Sequence, residues 1–366
     1  MHKVLLMIDE AQVGGGQQHV LYLAANMKRF EPHVACQPSG YLVDELRTRN
    51  IPVHPLTMTN RPSPASVNAC RRLLGKLQPA IVHTHGGTAG FTGRIATIGL
   101  PGPKVVHTYH GLHYLRSGQS LRNMMFRMVD MSLLRVTDRA ICVAESDLAL
   151  GLRYGVVDRK KAVVIRNGID VEAFHRSSQG GQNAGSPVVG TIGRLHAQKG
   201  HEVLLQAVAQ LRKMGRNFVV RIIGDGELRK TLEARVKELG VDDIVEFAGA
   251  SHSVAKELAE MNLFVLPSLW EGLPLVILEA MASGVPVVAS GVDGVPEIVT
   301  DGLDGVLVPP GKPEALADAI VRLLDDPLLC ESLAFNAKEK VRREFTVKRM
   351  TDETEGLYDS LLREVN

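Results

Sequence analysis

Residues 263–290 read LFVLPSLWEGLPLVILEAMASGVPVVAS. LFVLPS (263–268) is an apolar run closed by Pro267 and Ser268, the pattern of a buried strand. A helix follows from about residue 274, with Pro274 near the first helical position, where a missing N–H leaves no bond unmade. VPVVAS (285–290), after Gly284, is β-branched and again short and apolar. Strand, helix, strand in this order makes a βαβ unit on a parallel sheet.

The same alternation extends in both directions. Before it stand VVGTIGRL (188–195), FVVRIIG (218–224) and VEFAG (245–249), separated by helical stretches at 199–214, 226–239 and 252–261. In the first half, KVLLMI (3–8), HVACQP, IPVHPL, AIVHTH (80–85), VVHTYH (105–110) and RAICVA (139–144) are strand candidates, and QQHVLYLAANMKRF (17–30) is a helix after Gly14-Gly15-Gly16. HRSSQGGQNAGSP (175–187) has no apolar anchor and predicts a linker over 176–187. The expected organisation is therefore α/β. One doubly wound domain spans 1–175, a second spans 188–346, and an amphipathic helix at 347–366 packs back on the first. Ligands of such sheets bind beyond the carboxyl ends of the strands. The chemistry is therefore expected on loops facing a cleft between the halves, completed and dried by closure.

Composition agrees with an ordinary globular protein: 366 residues, 45% hydrophobic and 22% charged. That balance excludes disorder, collagen and a disulfide-stapled miniprotein. Cys36, Cys70, Cys142 and Cys330 stand far apart with no CxxC pair, so reduced thiols are expected. The N-terminal apolar run meets Asp9 and Glu10 too early for a signal peptide. No membrane span is expected, since the longest apolar candidate, 274–292, contains Glu279, Gly284 and Pro286. Net charge is +2, but 22 Lys+Arg against 12 Asp+Glu make residues 1–185 +10, and 20 against 28 make the remainder −8. A basic first half favours anionic partners.

Several groups carry candidate chemistry. Glu271 and Glu279 flank a helix start where the amides of Gly272, Leu273 and Leu275, with the positive end of the helix dipole, form a receptor for anions and hydroxyls. Gly272 allows close approach of a ligand to the backbone. Gly193-Arg194-Leu-His-Ala-Gln-Lys199-Gly200 supplies a planar fork of donors and a compact cation, a pair suited to a diphosphate and to the charge that grows as it departs. Neither Gly14-Gly15-Gly16 nor Gly224-Asp225-Gly226 completes GxGxxG, so a nicotinamide fingerprint is absent.

These blocks resemble a known family. GRLHAQKG (193–200), IIGDGE (222–227), FAG (247–249), the stretch from Leu266 to Ser290 and GVPEIV (294–299) are similar to the consecutive signatures of family 4 glycosyltransferases, which are retaining, nucleotide-sugar-dependent enzymes of the GT-B fold. Glu271 and Glu279 meet the E-x7-E motif. The resemblance covers essentially the whole chain and is most specific from about 188 to 310. It implies that Arg194 and Lys199 bind the donor diphosphate, that Glu279 holds the ribose hydroxyls, and that Glu271 with the following amides holds the sugar. Gly193 and Gly224 border the donor, and Ala250, Ser251 and His252 border the base. Gly14, Gly15 and Gly16 set their backbone against phosphate or sugar, and His110 contacts the transferred sugar through its ring or backbone. The donor is expected to be a UDP-sugar, with GDP next. It is a substrate, with no cofactor and no metal, in keeping with the lack of a clear DxD motif at a strand end. The acceptor is expected to be a glycan or lipid-linked hydroxyl in cell-surface polysaccharide or glycolipid synthesis, with no nucleic acid involved.

Three further features have two readings each. His83, His85, His107, His110 and His113 suggest a metal site, but successive strand residues face opposite ways, so none is expected. His19 reads as a surface residue of its helix; as a general base it would imply inversion. Residues 116–139 carry an apolar stripe among arginines. The chain is expected in the cytoplasm, where the stripe either packs on the sheet or docks on the anionic inner face of the plasma membrane. Two other functions stay open: a sugar-nucleotide epimerase of the same architecture, and a non-catalytic nucleotide-sugar-binding subunit.

Overall fold

A computed structural model describes residues 1–58, 63–116, 120–174, 185–251 and 253–364. The chain divides into two compact units, Met1–Gly168 with Val347–Asn366, and Ile169–Thr346. The first crossing lies a few residues before the position that composition suggests. Gly168 N–H donates to Met350 Sδ at 3.3 Å, whereas Ile169 N–H donates to Phe345 O at 2.9 Å. Residues 169–174 therefore belong to the second unit. Most of the expected linker, 175–184, lies outside the described residues.

The first unit holds a seven-stranded sheet of β1 (His2–Ile8), β2 (Phe30–Cys36), β3 (Val53–Pro55), β4 (Ile81–His85), β5 (Lys104–Tyr109), β6 (Arg139–Cys142) and β7 (Ala162–Val164). All pairs are parallel, in the order β3-β2-β1-β4-β5-β6-β7. The order reverses between β1 and β4, where Val4 pairs with Ile81 and Ile8 with His85. Helices cover both faces. Val20 and Leu23 of the helix Gly15–Asn26 pack with Met350, Tyr358 and Leu361 of the C-terminal helix Val347–Arg363 and with Val4, Leu6 and Val34. Leu5, Met7 and Val82 point the other way, against the helices Pro64–Leu77 and Gly87–Thr97. The two-residue period of a strand divides one apolar run between two cores.

The second unit repeats this plan with β8 (Val188–Ile192), β9 (Val219–Ile223), β10 (Val245–Gly249), β11 (Leu263–Leu266), β12 (Val287–Ser290) and β13 (Val306–Val308), in the order β10-β9-β8-β11-β12-β13. Its switch point lies between β8 and β11, where Leu263 pairs with Val189. Val189, Val220, Ile222 and Val265 pack against Leu204, Leu205 and Val208 of the helix His201–Lys213.

Some boundaries differ from the periodicity. The helix expected over 17–30 begins at Gly15 and ends at Asn26, and Phe30 opens β2 with 2% of its surface exposed. Two of the three glycines of Gly14-Gly15-Gly16 are thus helical rather than loop. The helices expected from 226 and 252 start at Arg229 and Val254. β7 and β13 are three-residue edge strands, too short for any period to show.

Candidate active site

In the second unit the loops after β8 and β11 meet at the switch point, where open α/β sheets take their ligands. Lys199 ends a single 3-10 turn, Ala197–Lys199, and Gly200 follows in the left-handed conformation (φ 63°) before the helix His201–Lys213. Lys199 therefore stands just ahead of the helix, not inside it. A Cβ on Gly200 would lie 2.1 Å from Pro267 O, so only glycine lets these two loops touch. Lys199 Nζ donates to Glu271 Oε1 at 2.6 Å. Ser268 Oγ donates to the same oxygen at 2.7 Å, and Gln198 Nε2 to Glu271 Oε2 at 3.2 Å. Asp293, itself at φ 51°, accepts Glu271 N–H at 2.8 Å. Glu271 is thus a buried carboxylate fixed by cation, hydroxyl and amide, with its backbone held by a second carboxylate.

The glycines serve this packing. A Cβ on Gly193 would press on Lys199 Cε at 3.3 Å, and one on Gly224 (φ 140°) would meet Gly193 O at 1.9 Å. Gly224 N–H donates to Gly249 O at 2.7 Å, tying the loop after β9 to the end of β10, two residues before Ser251. Ser251 Oγ accepts Ser253 N–H at 3.2 Å; His252, between them, lies outside the described residues. Arg194 is exposed, and no hydrogen bond or ion pair joins its side chain to another described residue.

The segment after Glu271 passes Gly272 and Leu273 and enters the helix Leu275–Ala282 with Pro274 as its N-cap, so Leu275 is the first helical residue and no side chain caps the end. Glu279 is the single charged residue of this helix, LVILEAMA, and is 7% exposed. No described residue hydrogen-bonds its carboxyl group, and burial pushes its pKa up to about 7. A carboxyl without a partner among the described residues in so apolar a setting is costly to ionise.

The first unit gathers its candidates at its own switch point. Gly14 is the extended N-cap (φ −177°) of an uncapped helix start, and a Cβ on Gly16 would lie 3.8 Å from His110 Cδ2. Gly16 therefore lies beside His110, whereas a Cβ on Gly14 would meet only Gln17 and one on Gly15 nothing within 4 Å. His19 corrects the surface expectation: it is 3% exposed, and its Nδ1 lies 2.9 Å from Asn167 Oδ1. His83 and His85 are two residues apart on β4 and so face the same side, with ring centroids 4.2 Å apart. The alternation of strands groups these two rather than separating them. His85 Nδ1 lies 3.1 Å from His110 Nε2, and the His19 and His110 rings meet edge to face at 4.7 Å. His83 bonds Tyr358 OH and Thr108 Oγ1, and His107 bonds Thr84 Oγ1 on the opposite side of the sheet. Burial lowers the pKa of His19 to about 4 and holds His83, His85, His107 and His110 well below the usual imidazole range.

The stripe within 116–139 also differs from the packed alternative. Residues 117–119 lie outside the description, and the helix Leu121–Leu133 buries only Leu133. Leu121, Met124, Met125, Met128 and Met131 are exposed, Leu121 at 70%. Arg94, fully buried, anchors this helix through Asp130 at 2.6 Å, and Tyr114 OH donates to the other oxygen of that carboxylate. No helix among the described residues is long and apolar enough to cross a membrane. The four cysteines are free thiols.

Comparison with known proteins gives the fold and the family. The profile of Glycosyltransferase Family 4 matches residues 13–173, and that of Glycosyl transferases group 1 matches 186–326. The putative colanic acid biosynthesis glycosyltransferase WcaL of Salmonella typhimurium is 31% identical over 300 residues, 76% of this chain and 70% of that protein. The UDP-Gal:alpha-D-GlcNAc-diphosphoundecaprenol alpha-1,3-galactosyltransferase of Escherichia coli is 29% identical over 346 residues, 90% and 89% of the two chains. Among solved structures, Anabaena Alr3699/HepE in complex with UDP and glucose superposes with a TM-score of 0.89 at 22% identity, covering 98% of this chain and all of that one. Two doubly wound parallel sheets with these neighbours define the GT-B fold. The chain belongs to the family 4 glycosyltransferases.

Proposed function

We propose that this glycosyltransferase moves a hexosyl or N-acetylhexosaminyl unit, with retention, from a nucleotide diphosphate sugar to a hydroxyl of a glycan or lipid-linked acceptor. UDP is the favoured nucleotide, with GDP next. The observation that carries the proposal is the constellation at the second unit's switch point: Lys199 paired to a fixed Glu271, with an exposed Arg194 and a buried Glu279 whose side chains bond to no other described residue. A relative named for a UDP-galactose donor and a diphosphoundecaprenol acceptor, and a neighbour solved with UDP and glucose, support the same class.

In this reading Arg194 and Lys199 bind the diphosphate. Glu279 takes the ribose hydroxyls, where a hydrogen-bonded diol replaces the solvation its carboxyl lacks. Glu271 aims Lys199 and, with Gly272, Leu273 and Leu275, borders the sugar. Gly193, Gly224 and Ser251 line the nucleotide side. The acceptor oxygen bonds to the anomeric carbon on the face that the diphosphate leaves. The bond between the anomeric carbon and the diphosphate oxygen breaks, the acceptor proton passes to a departing diphosphate oxygen, and the products are glycoside and nucleoside diphosphate. Lys199 and Arg194 stabilise the growing charge, so the transfer step itself calls for no metal. His110 and the Gly14–Gly16 backbone act from the first unit on the sugar. The exposed face of Leu121–Leu133, flanked by Arg122 and Arg127 on a unit rich in cations, docks on anionic lipid, where a lipid-linked acceptor is presented.

The test is proton NMR of the product formed from a UDP-hexose and a suitable acceptor. The donor's anomeric configuration is expected to persist. An inverted product contradicts the front-face route, and an epimerised nucleotide sugar formed without acceptor contradicts glycosyl transfer.

A further inference from the structure

We propose that His19, His85 and His110 form a three-imidazole site for a late first-row divalent cation such as zinc, at the switch point of the first unit's sheet. One ring nitrogen from each of the three lies within 4.8 Å of the other two. They converge from three elements: His19 from the helix Gly15–Asn26, His85 from the last position of β4, and His110 from the residue after β5. Tetrahedral zinc with nitrogen ligands at about 2.0–2.1 Å needs ligand atoms about 3.3 Å apart. The His85–His110 pair already stands at 3.1 Å, and the widest pair needs an inward shift of at most about 1.5 Å.

The surroundings suit ligation. Asn167 Oδ1 accepts from His19 Nδ1, which fixes the proton there and leaves Nε2 as the nitrogen with a free lone pair. This is the oriented-imidazole arrangement that supports metal ligands from behind. With Nδ1 of His85 turned to His110, its Nε2 carries the proton and is buried with no hydrogen-bond partner among the described residues. Three imidazoles leave a fourth position for water or a ligand oxygen. Because His110 also belongs to the proposed transfer machinery, a bound cation takes its ring nitrogen from that role, and occupancy is inhibitory.

The test is binding, so it stands apart from the transfer reading. The untagged full chain, stripped with a chelator, is titrated with Co²⁺ and Zn²⁺. One equivalent is expected, with the intense visible absorption of tetrahedral Co²⁺, and X-ray absorption of the zinc form should show three imidazoles. His19→Gln and His85→Gln should each weaken binding by ~100-fold or more, and Asn167→Leu by about tenfold. His2→Gln, at an exposed site, should change nothing. Absence of saturable binding by the unsubstituted chain overturns the proposal. So does binding that survives both ligand substitutions in folded protein, or an absorption spectrum without imidazole scattering.

Discussion

Lys199 Nζ lies 2.6 Å from Glu271 Oε1, and the two side chains reach that point from loops on opposite sides of the second sheet's switch point. The pair is largely buried, with Glu271 the deeper member, and Ser268 completes it. A buried charge pair contributes little net stability, but it fixes where an ammonium group sits. With one of its three donors on Glu271, Lys199 presents the others as a positioned point charge.

Removing that charge should cost turnover more than folding. Lys199→Ala is expected to lower kcat by ~10²-fold or more, comparable to losing one donor aimed at developing charge. Melting measured alongside reports the cost of leaving Glu271 unpaired. Near wild-type kcat contradicts the assigned role.

Glu279 should make the free chain less stable as pH rises. Its carboxyl titrates at about 7 in the folded chain, against an ordinary 4.5. The folded state therefore binds the proton more tightly, and this contribution is complete below about pH 4.5 and lost as pH climbs through about 7. Glu279→Gln should remove that loss and raise stability at pH 8 by on the order of 2–3 kcal/mol, while weakening nucleotide-sugar binding. Unchanged melting at pH 8 together with unchanged affinity contradicts both halves of the assignment.

The histidines of the first unit act in the opposite direction. Burial lowers His19 to about 4 and holds the others well below the usual 6.5, so the unfolded chain takes up protons first. Their contribution is complete above about pH 6.5 and falls as pH drops toward 4. Melting temperature should decline steadily over that window; a flat profile from pH 7 to pH 4.5 contradicts the buried neutral cluster.

The exposed methionine face predicts lipid binding. The chain should float with vesicles rich in anionic lipid at low salt, and detach at high salt or from neutral vesicles. A Met125→Glu, Met128→Glu double variant should not float, because each charge opposes insertion of the apolar face. Failure of the unsubstituted chain to float contradicts the docking.

The second sheet and its site were the most legible parts of the sequence. Residues 263–290 carry the strand, the proline at the helix start and both glutamates in one continuous run, so local pattern and site coincide. What escaped was non-local. Asp293 bonds Glu271 N–H from a loop beyond β12, and Ser268 and Gln198 declare no role by type alone. His19 looks like a surface residue because its burial depends on Asn167 and His110, both more than ninety positions away in the chain. A two-residue strand period places His83 beside His85, but only the fold adds His110 to them.

Calorimetry of nucleotide-sugar binding tests the central claim most directly. UDP-hexose should bind the full chain with measurable heat. Arg194→Ala, at an exposed position whose loss leaves the core intact, should raise Kd by ~10-fold or more, as expected for a hydrogen bond to a charged group. No heat with UDP-, GDP- or ADP-linked sugars, or an affinity indifferent to Arg194, would contradict a diphosphate held at this switch point.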